Sequence, residues 1–426
     1  MTDPTSLSVV LLTRALPLHR SGGLEFHSAH LARGLAEAGV RVCVVTTADP
    51  NDPARCEGEL AGRVPVHFLP GTPPGGYNLR AFGEFARAAR FHAHGEGRVV
   101  IHAQGFAGFA VRAGHPRQRF VLTVHGTLWS ETPLWPDCWR RLTWRGRAAA
   151  LWAMKHRLAV APLWQRMLRR ADVVLVDSAF TRRELEREGS HRLSAKLVSV
   201  PLGVPRDAFP AVPRNEARAW LQARHWGGGA GSLAGGGPLL LTVGRLHRMK
   251  GLHVLLEALR GLEGRWTLIV VGDGPERERL QRWVQVALMQ ERVVFAGRVP
   301  ESELPYYYAG ADVLVNPELG QPAFGLVALE ALLQGTPVLA NRAGALPEVI
   351  GEGDGPAAGG GLVGEPSAAA WRTALDEWIG REKWKSFDPE ALRRSALRRF
   401  SFEAMIRGTL EAYERAFTLK RESVPE

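Results

Sequence analysis

Cysteine is scarce in this chain. Its 426 residues include three, Cys43, Cys56 and Cys138, an odd number at no metal-ligand spacing. That argues against a disulfide framework and against a zinc site, and it fits a reducing compartment. Long apolar runs are missing as well. No stretch reaches the ~18 consecutive apolar residues of a spanning helix, and the opening MTDPTSLSVVLLTRALPL has no basic leader ahead of its short apolar run. The expectation is a cytoplasmic protein, neither secreted nor membrane-spanning. No repeat of fixed period runs through the chain.

Acidic residues are outnumbered, 43 against 54 basic ones, for a formal charge of +11. Such a balance suits an anionic partner: a phosphorylated metabolite, a lipid headgroup or a nucleic acid. An arginine-for-lysine bias in a GC-rich coding sequence accounts for the excess equally well. The hydrophobic fraction of 45% and charged fraction of 23% are those of an ordinary globular protein, which sets general disorder aside. The length exceeds what one hydrophobic core supports, so two domains are expected.

The first half alternates buried-strand runs with amphipathic stretches. LSVVLL (7–12) reads as a strand, SGGLEFHSAHLARGLAEAG (21–39) as a helix bracketed by glycines, and VRVCVVTT (40–47) as a strand again. The pattern continues through RVVIHAQG (98–105), RFVLTVHG (119–126), ADVVLVDS (171–178) and AKLVSVPLG (195–203), continuous runs of the kind buried in parallel sheets. Residues 204–237 change character, with three prolines, a short helix near NEARAWLQARHW and the linker-like GGGAGSLAGGG. A second βα series follows: LLLTVG (239–244), TLIVVGDG (267–274), RVVFAG (292–297), ADVLVNP (311–317) and TPVLAN (336–341). Two doubly wound α/β domains are expected, 1–204 and 205–400, with the amphipathic end of the chain from about 401 to 426 free to pack on either.

In such sheets ligands bind outside the carboxyl ends of the strands. Gly22 and Gly23 sit where a backbone can approach an anion at a helix N-terminus, or where a helix-entry turn needs positive φ. His125 ends a strand beside a glycine, placed to hydrogen-bond a substrate hydroxyl or simply to terminate the strand. After Gly244, Arg245 and Lys250 punctuate one short βα loop, and two such cations can clamp a diphosphate. IVVGDGPERERL lacks the full G-x-G-x-x-G spacing, which weakens a nicotinamide-dinucleotide reading. In NPELGQPAFGLVALEALLQG a helix from about Phe324 would offer the N–H groups of Gly325, Leu326 and Val327 to a phosphate. Glu330, farther along it, would accept from a ribose diol or salt-bridge a neighbouring loop.

Together these blocks resemble the retaining GT-B-fold glycosyltransferases of family 4. The resemblance runs from SGGLEFHSAHLARGLAEAGVRVCVVTT to the terminal helix. It is most specific in LTVGRLHRMKGLHVLLEAL, LIVVGDGPERERL, VVFAGRVPESELPYYYAGADVLVNP and FGLVALEALLQGTPVLANRAGALPEVI, which fall in the family's order. It implies two Rossmann-like domains facing across a cleft that holds a nucleotide-diphosphate sugar. Arg245 and Lys250 would hold the diphosphate with the backbone of Gly325 to Val327 and, across the cleft, Gly22 and Gly23. Glu330 would hold the ribose, Gly297, Arg298 and Val299 would meet the base, and His125 would lie near the transferred sugar. The implied reaction is transfer to an acceptor hydroxyl with retention at the anomeric carbon, with no cofactor and no nucleic-acid partner. Asp-x-Asp, which bridges the diphosphate through a metal in the other main glycosyltransferase fold, occurs nowhere, so no metal requirement is expected.

One position departs from the family. Its pair of glutamates with seven residues between them would place the first at Pro322, which carries no charge and no acceptor in its side chain. Gln321 and Glu318 are the candidates to replace it, if the loop folds back. A catalytically impaired nucleotide-sugar-binding protein, or a GT-B-type epimerase, therefore stands beside the active transferase. Residues 129–170 add six tryptophans, eight arginines and Lys155 against Glu131 and Asp137. That segment either lies on the inner face of an anionic membrane, implying a lipid-linked or cell-envelope acceptor, or packs its tryptophans inward beneath a basic solvated face.

Overall fold

The structure, a computed structural model, describes residues 7–19, 22–60, 62–93, 97–127, 160–188, 191–227, 237–351 and 358–419. The chain divides into two compact units, one running to Gly203 and resuming at Phe402, the other spanning Val204–Ser401.

In the first unit eight strands lie in the order β3-β4-β2-β1-β5-β6-β7-β8. They are β1 (Leu7–Leu12), β2 (Arg41–Thr47), β3 (Glu57–Leu60), β4 (Val64–Leu69), β5 (Arg98–Gln104), β6 (Gln118–Val124), β7 (Val173–Val176) and β8 (Leu197–Ser199). All neighbours pair in parallel except β3 and β4. The central strands are buried along nearly their whole length because both faces are covered, which is why they read as unbroken Val, Leu and Ile. The β3–β4 hairpin was not anticipated. Its EGEL strand alternates exposed and half-buried residues, an edge strand that carries no apolar run.

The last helix, Phe402–Thr418, packs on this same unit. It buries Phe402, Met405, Ile406, Thr409, Tyr413 and Ala416 at helical spacing, and its partners include β6 and β7. Gly34 admits it: a Cβ there would lie 2.5 Å from the Ile406 Cδ1 and 2.7 Å from the Phe402 ring. Burying Tyr413 and its neighbours stabilises the arrangement by about 1.5–3 kcal/mol per large apolar side chain.

The second unit has six parallel strands in the order β11-β10-β9-β12-β13-β14. They are β9 (Leu239–Val243), β10 (Thr267–Val271), β11 (Val293–Gly297), β12 (Val313–Asn316), β13 (Val338–Asn341) and β14 (Gly360–Val363). The expected strands thus appear, trimmed by one to three residues where loops begin, and β14 joins them from a glycine-rich stretch with little apolar signal. Its core gathers Leu240, Leu255, Leu268, Val313, Leu339 and Trp371. Among the described residues no helix is long and apolar enough to cross a membrane.

Candidate functional site

In the second unit the chain leaves β9 toward β10 and β11 on one side, then returns to lay β12, β13 and β14 on the other. A doubly wound sheet opens a ligand crevice at such a reversal, outside the carboxyl ends, here between the loops after β9 and β12. The glycines of the sequence motifs are there for close approach. A Cβ on Gly272 would lie 2.0 Å from the Gly244 carbonyl oxygen, and one on Gly274 2.4 Å from that of Leu246. Gly251, at φ +70°, would put a Cβ 1.9 Å from the Pro317 oxygen. The two crevice loops are therefore held against each other, and the Leu319 N–H donates to the Met249 carbonyl at 2.8 Å.

Arg245 is exposed and has no ion-pair partner among the described residues. Lys250 instead ends the short 3₁₀ turn Arg248–Lys250 and pairs with the carboxylate of Glu318, whose side chain is only 8% exposed. Of the two cations, one is available to a ligand and the other is held by an internal acid. Arg298 is exposed and lies 4.0 Å from Asp273, which also faces Arg277 at 3.7 Å; Val299 is half-buried beside it.

After β12 the helix begins at Leu326, two residues later than expected. Phe324 is buried, edge-on to Phe400 at 5.4 Å between centroids, so its side chain is a packing anchor. Gly325 follows at φ +106° and opens the helix Leu326–Leu333 with no side-chain cap. Ala328 and Leu329 donate to the Gly325 carbonyl, and helix geometry leaves the first-turn N–H groups of Leu326 and Val327 without an intrahelical acceptor. Farther along, Glu330 accepts from the Tyr308 hydroxyl at 2.7 Å. Burial pushes Glu330 up to about 7, and the Tyr308 hydrogen bond pulls against that rise.

The loop does not fold back to supply an acid in place of Pro322. Gln321 spends its Oε1 on the Gly344 N–H at 2.6 Å. Glu318 faces Lys250, while its own carbonyl accepts from Asn341 Nδ2 at 2.9 Å. Pro322 is fixed by its carbonyl, which takes the Ala345 N–H at 2.8 Å.

In the first unit the reversal lies between β1 and β5. The helix Gly23–Glu37 starts there with Gly22 extended at φ −165°, so neither of the two glycines needs the positive φ that one reading assigned them. A Cβ on Gly22 would instead meet the Glu25 carboxylate at 2.4 Å. Glu25 thus places a carboxylate of the unit itself at the helix start, 4.0 Å from the Arg14 guanidinium. His125, just past β6, has a nearly buried side chain. Its Nδ1 lies 3.3 Å from Asp177 Oδ2 and its Nε2 2.5 Å from Gln104 Oε1. The His27 ring stands edge-on at 5.2 Å, and burial with the neighbouring histidines holds His27 well below the usual imidazole range.

Sequence reading missed Asp177, Gln104 and Tyr308. The first two obey the rule that singled out His125, a polar residue at the carboxyl end of a strand. Tyr308 left no such mark, one of three adjacent tyrosines. Of the tryptophan-rich segment, 128–159 lies outside the described residues. Trp164 is buried in the core against Phe106 at 5.2 Å, which removes that one tryptophan from any membrane-facing set.

Comparison with known proteins gives two family matches. The model described as Glycosyl transferases group 1 matches residues 230–392, and that described as Glycosyltransferase Family 4 matches residues 21–208. The chain is 33% identical over 258 residues to the GDP-mannose-dependent alpha-(1-6)-phosphatidylinositol monomannoside mannosyltransferase of Mycolicibacterium smegmatis, covering 53% of this chain and 64% of that protein. It is 32% identical over 269 residues to the D-inositol 3-phosphate glycosyltransferase of Nocardia farcinica, covering 59% and 54%. The matched stretch thus spans less than two-thirds of either relative. The sucrose-phosphate synthase of Thermosynechococcus elongatus superposes with a TM-score of 0.76 at 25% identity, over 96% of this chain and 99% of that structure.

Proposed function

The chain belongs to the GT-B glycosyltransferases of family 4, and from that premise we propose that it moves a sugar from a nucleotide-diphosphate donor to an acceptor hydroxyl, with retention at the anomeric carbon and without a metal. The observation that carries the reading is the crevice of the second unit, where Arg245, without an ion-pair partner among the described residues, and an uncapped helix start at Gly325 stand on the two loops flanking the sheet's reversal. Breaking the bond to the diphosphate leaves growing negative charge on its oxygens. Arg245, Lys250 and the N–H groups of Gly325, Leu326 and Val327 meet that charge with fixed positive dipoles and cations. Lys250 arrives already paired, so the diphosphate competes with Glu318 for it.

Glu330 takes the ribose hydroxyls, Arg298 and Val299 line the base, and Gly244 lets the β9 loop come close to the phosphates. His125 is the residue proposed to act near the transferred sugar, and Gly22 and Gly23 are the proposed backbone contacts at the start of the helix Gly23–Glu37. The acceptor is a hydroxyl of a glycan, a lipid-linked sugar or a small phosphorylated molecule, and the charge of +11 favours an anionic one. A membrane-borne acceptor reached through 129–170 predicts co-sedimentation with anionic vesicles that high salt abolishes; absence of binding at either salt concentration overturns that part.

A panel of nucleotide sugars and free nucleoside diphosphates, read by thermal shift and by nucleotide release, tests the whole reading. At least one nucleoside diphosphate raises the melting temperature and its sugar derivative is turned over with a retained anomer, at a rate that EDTA leaves unchanged. If nothing on the panel shifts the melting temperature, the reading fails. Pro322 favours a second reading, a binder with impaired turnover, because both candidate replacements for the missing acid are engaged elsewhere. A binder holds the donor without releasing nucleotide, and Pro322→Glu then raises turnover. Conversion of the donor to an epimer without an acceptor marks the third, epimerase alternative.

A further inference from the structure

His125 has no ring nitrogen to spare. Nδ1 faces Asp177 Oδ2 at 3.3 Å and Nε2 faces Gln104 Oε1 at 2.5 Å, and all three side chains come from the carboxyl ends of the neighbouring strands β5, β6 and β7. We propose that Asp177 and Gln104 are positioning residues for His125, fixing its ring from both nitrogens, and that a substrate hydroxyl reaches Nε2 only by displacing the Gln104 amide. The proposal rests on the transferase reading above for its consequence, but not for its geometry.

The hydrogen-bond inventory supports it. Asp177 is buried and its second oxygen accepts from Thr181 Oγ1 at 3.2 Å, so the carboxylate has a donor on each side and its Oδ2 takes the Nδ1–H of His125. A buried carboxylate without such partners would be costly. Nδ1 therefore carries a proton whichever way the Gln104 amide is turned. With Oε1 toward the ring, Nε2 is protonated too; with the amide nitrogen toward it, Nε2 accepts. In neither arrangement is Nε2 open to substrate.

Gln104 is braced from behind. Its Nε2 lies 3.4 Å from His102 Nε2, and His102 is wholly buried with Tyr413 Oη at 2.7 Å from Nδ1 and Thr123 Oγ1 at 2.6 Å from Nε2. Burial, with His125 adding to it, pushes His102 down to about 3, so it is a neutral strut. His27, packed against the His125 ring, is neutral for the same reason. A core needs none of this: apolar side chains of similar volume would fill the space at no desolvation cost. Polar groups converging on one ring at the ligand end of the sheet are accounted for by holding that ring in one orientation, and orientation is what transfer at a single sugar carbon requires.

The test uses the full chain labelled with ¹⁵N-histidine, the His125 resonances being assigned by their loss in His125→Gln. Long-range ¹H–¹⁵N correlation in the wild type shows Nδ1 protonated. Asp177→Asn alters the Nδ1 signature, and Gln104→Met alters that of Nε2 while leaving Nδ1 in place. With the donor found by the panel, Asp177→Asn lowers kcat by about 100-fold or more and leaves the donor KM within about threefold, the split expected when an oriented group near the reacting centre is lost. An unchanged His125 signature in both variants overturns the proposal, as does a fall in kcat no larger than the accompanying loss of folded protein. Should Asp177→Asn not fold, Gln104→Met, which removes no charge, decides alone. The melting-temperature shift with a nucleoside diphosphate is measured on the same samples. If it is absent from the wild type, the transferase reading has failed; if it is present and the histidine signatures do not move, only the positioning has.

Discussion

The two crevices are built on the same topological plan and furnished in opposite ways. In the second unit the fittings are mostly backbone, glycines that let loops approach within contact of one another's carbonyls and an uncapped helix start, joined by two cationic side chains on a short loop. In the first unit they are side chains: His27, His102, Gln104, His125, Asp177 and Tyr413, drawn from five elements and joined by hydrogen bonds and ring contacts. A phosphate has the same shape on every donor and is met by fixed N–H groups, whereas a sugar and its acceptor differ in the direction of each hydroxyl and need oriented side chains.

The largest blow to the second crevice is Gly251→Ala. The added methyl meets the Pro317 carbonyl at a backbone angle that disfavours any side chain, and a loss of about 3 kcal/mol or more is expected in denaturant unfolding, together with the nucleotide-induced thermal shift. Lys250→Ala comes next. It also abolishes that shift, and it strands Glu318, costing about 2 kcal/mol once the exposure of Lys250 is allowed for. Adding Glu318→Gln to it recovers most of the stability and none of the nucleotide shift; recovery of both would mean that Lys250 serves only Glu318.

Glu330 makes the comparison pH-dependent. Its folded value of about 7 stands above the ordinary 4.5, so between those pH values the folded chain binds more protons than the unfolded one. Stability is therefore lost as pH rises through the window, and Glu330→Gln removes that loss: its melting temperature gains on the wild type more at pH 8 than at pH 5. Nucleotide affinity runs the other way, strengthening in the wild type as pH rises through about 7 because ribose hydroxyls donate to the ionised acid, and staying flat in the variant. The smallest effect is Tyr413→Phe. It deletes one hydrogen bond to His102 in the first unit, costs about 1 kcal/mol in denaturant unfolding, and leaves the nucleotide shift of the second unit unchanged.

How well each crevice could be read in advance follows from how it is built. Gly244, Arg245, Lys250, Gly325 and Glu330 lie close along the chain in two runs, so a local reading could propose them together. Even there, local reading put Phe324 among the ligand contacts, because only a partner distant in sequence, Phe400, shows that the ring is spent in the core. Likewise Pro322 was legible as a break in pattern, but the engagement of Gln321 and Glu318 was not. Asp177 and Gln104 lie 52 and 21 residues from His125, and no local rule joins them.

By itself the sequence determined most of the strands, their largely parallel character, the two-part organisation and the glycine-bearing loops at the carboxyl ends, because burial on both faces and glycine's freedom are local demands that each segment answers alone. The tertiary structure decided which of the two cations is paired with an internal acid, where the acid missing at Pro322 is not replaced, and what holds His125. Those are questions of partnership: a hydrogen bond or ion pair has a second member, and only the folded sheet brings that member within 3 Å or so of the first.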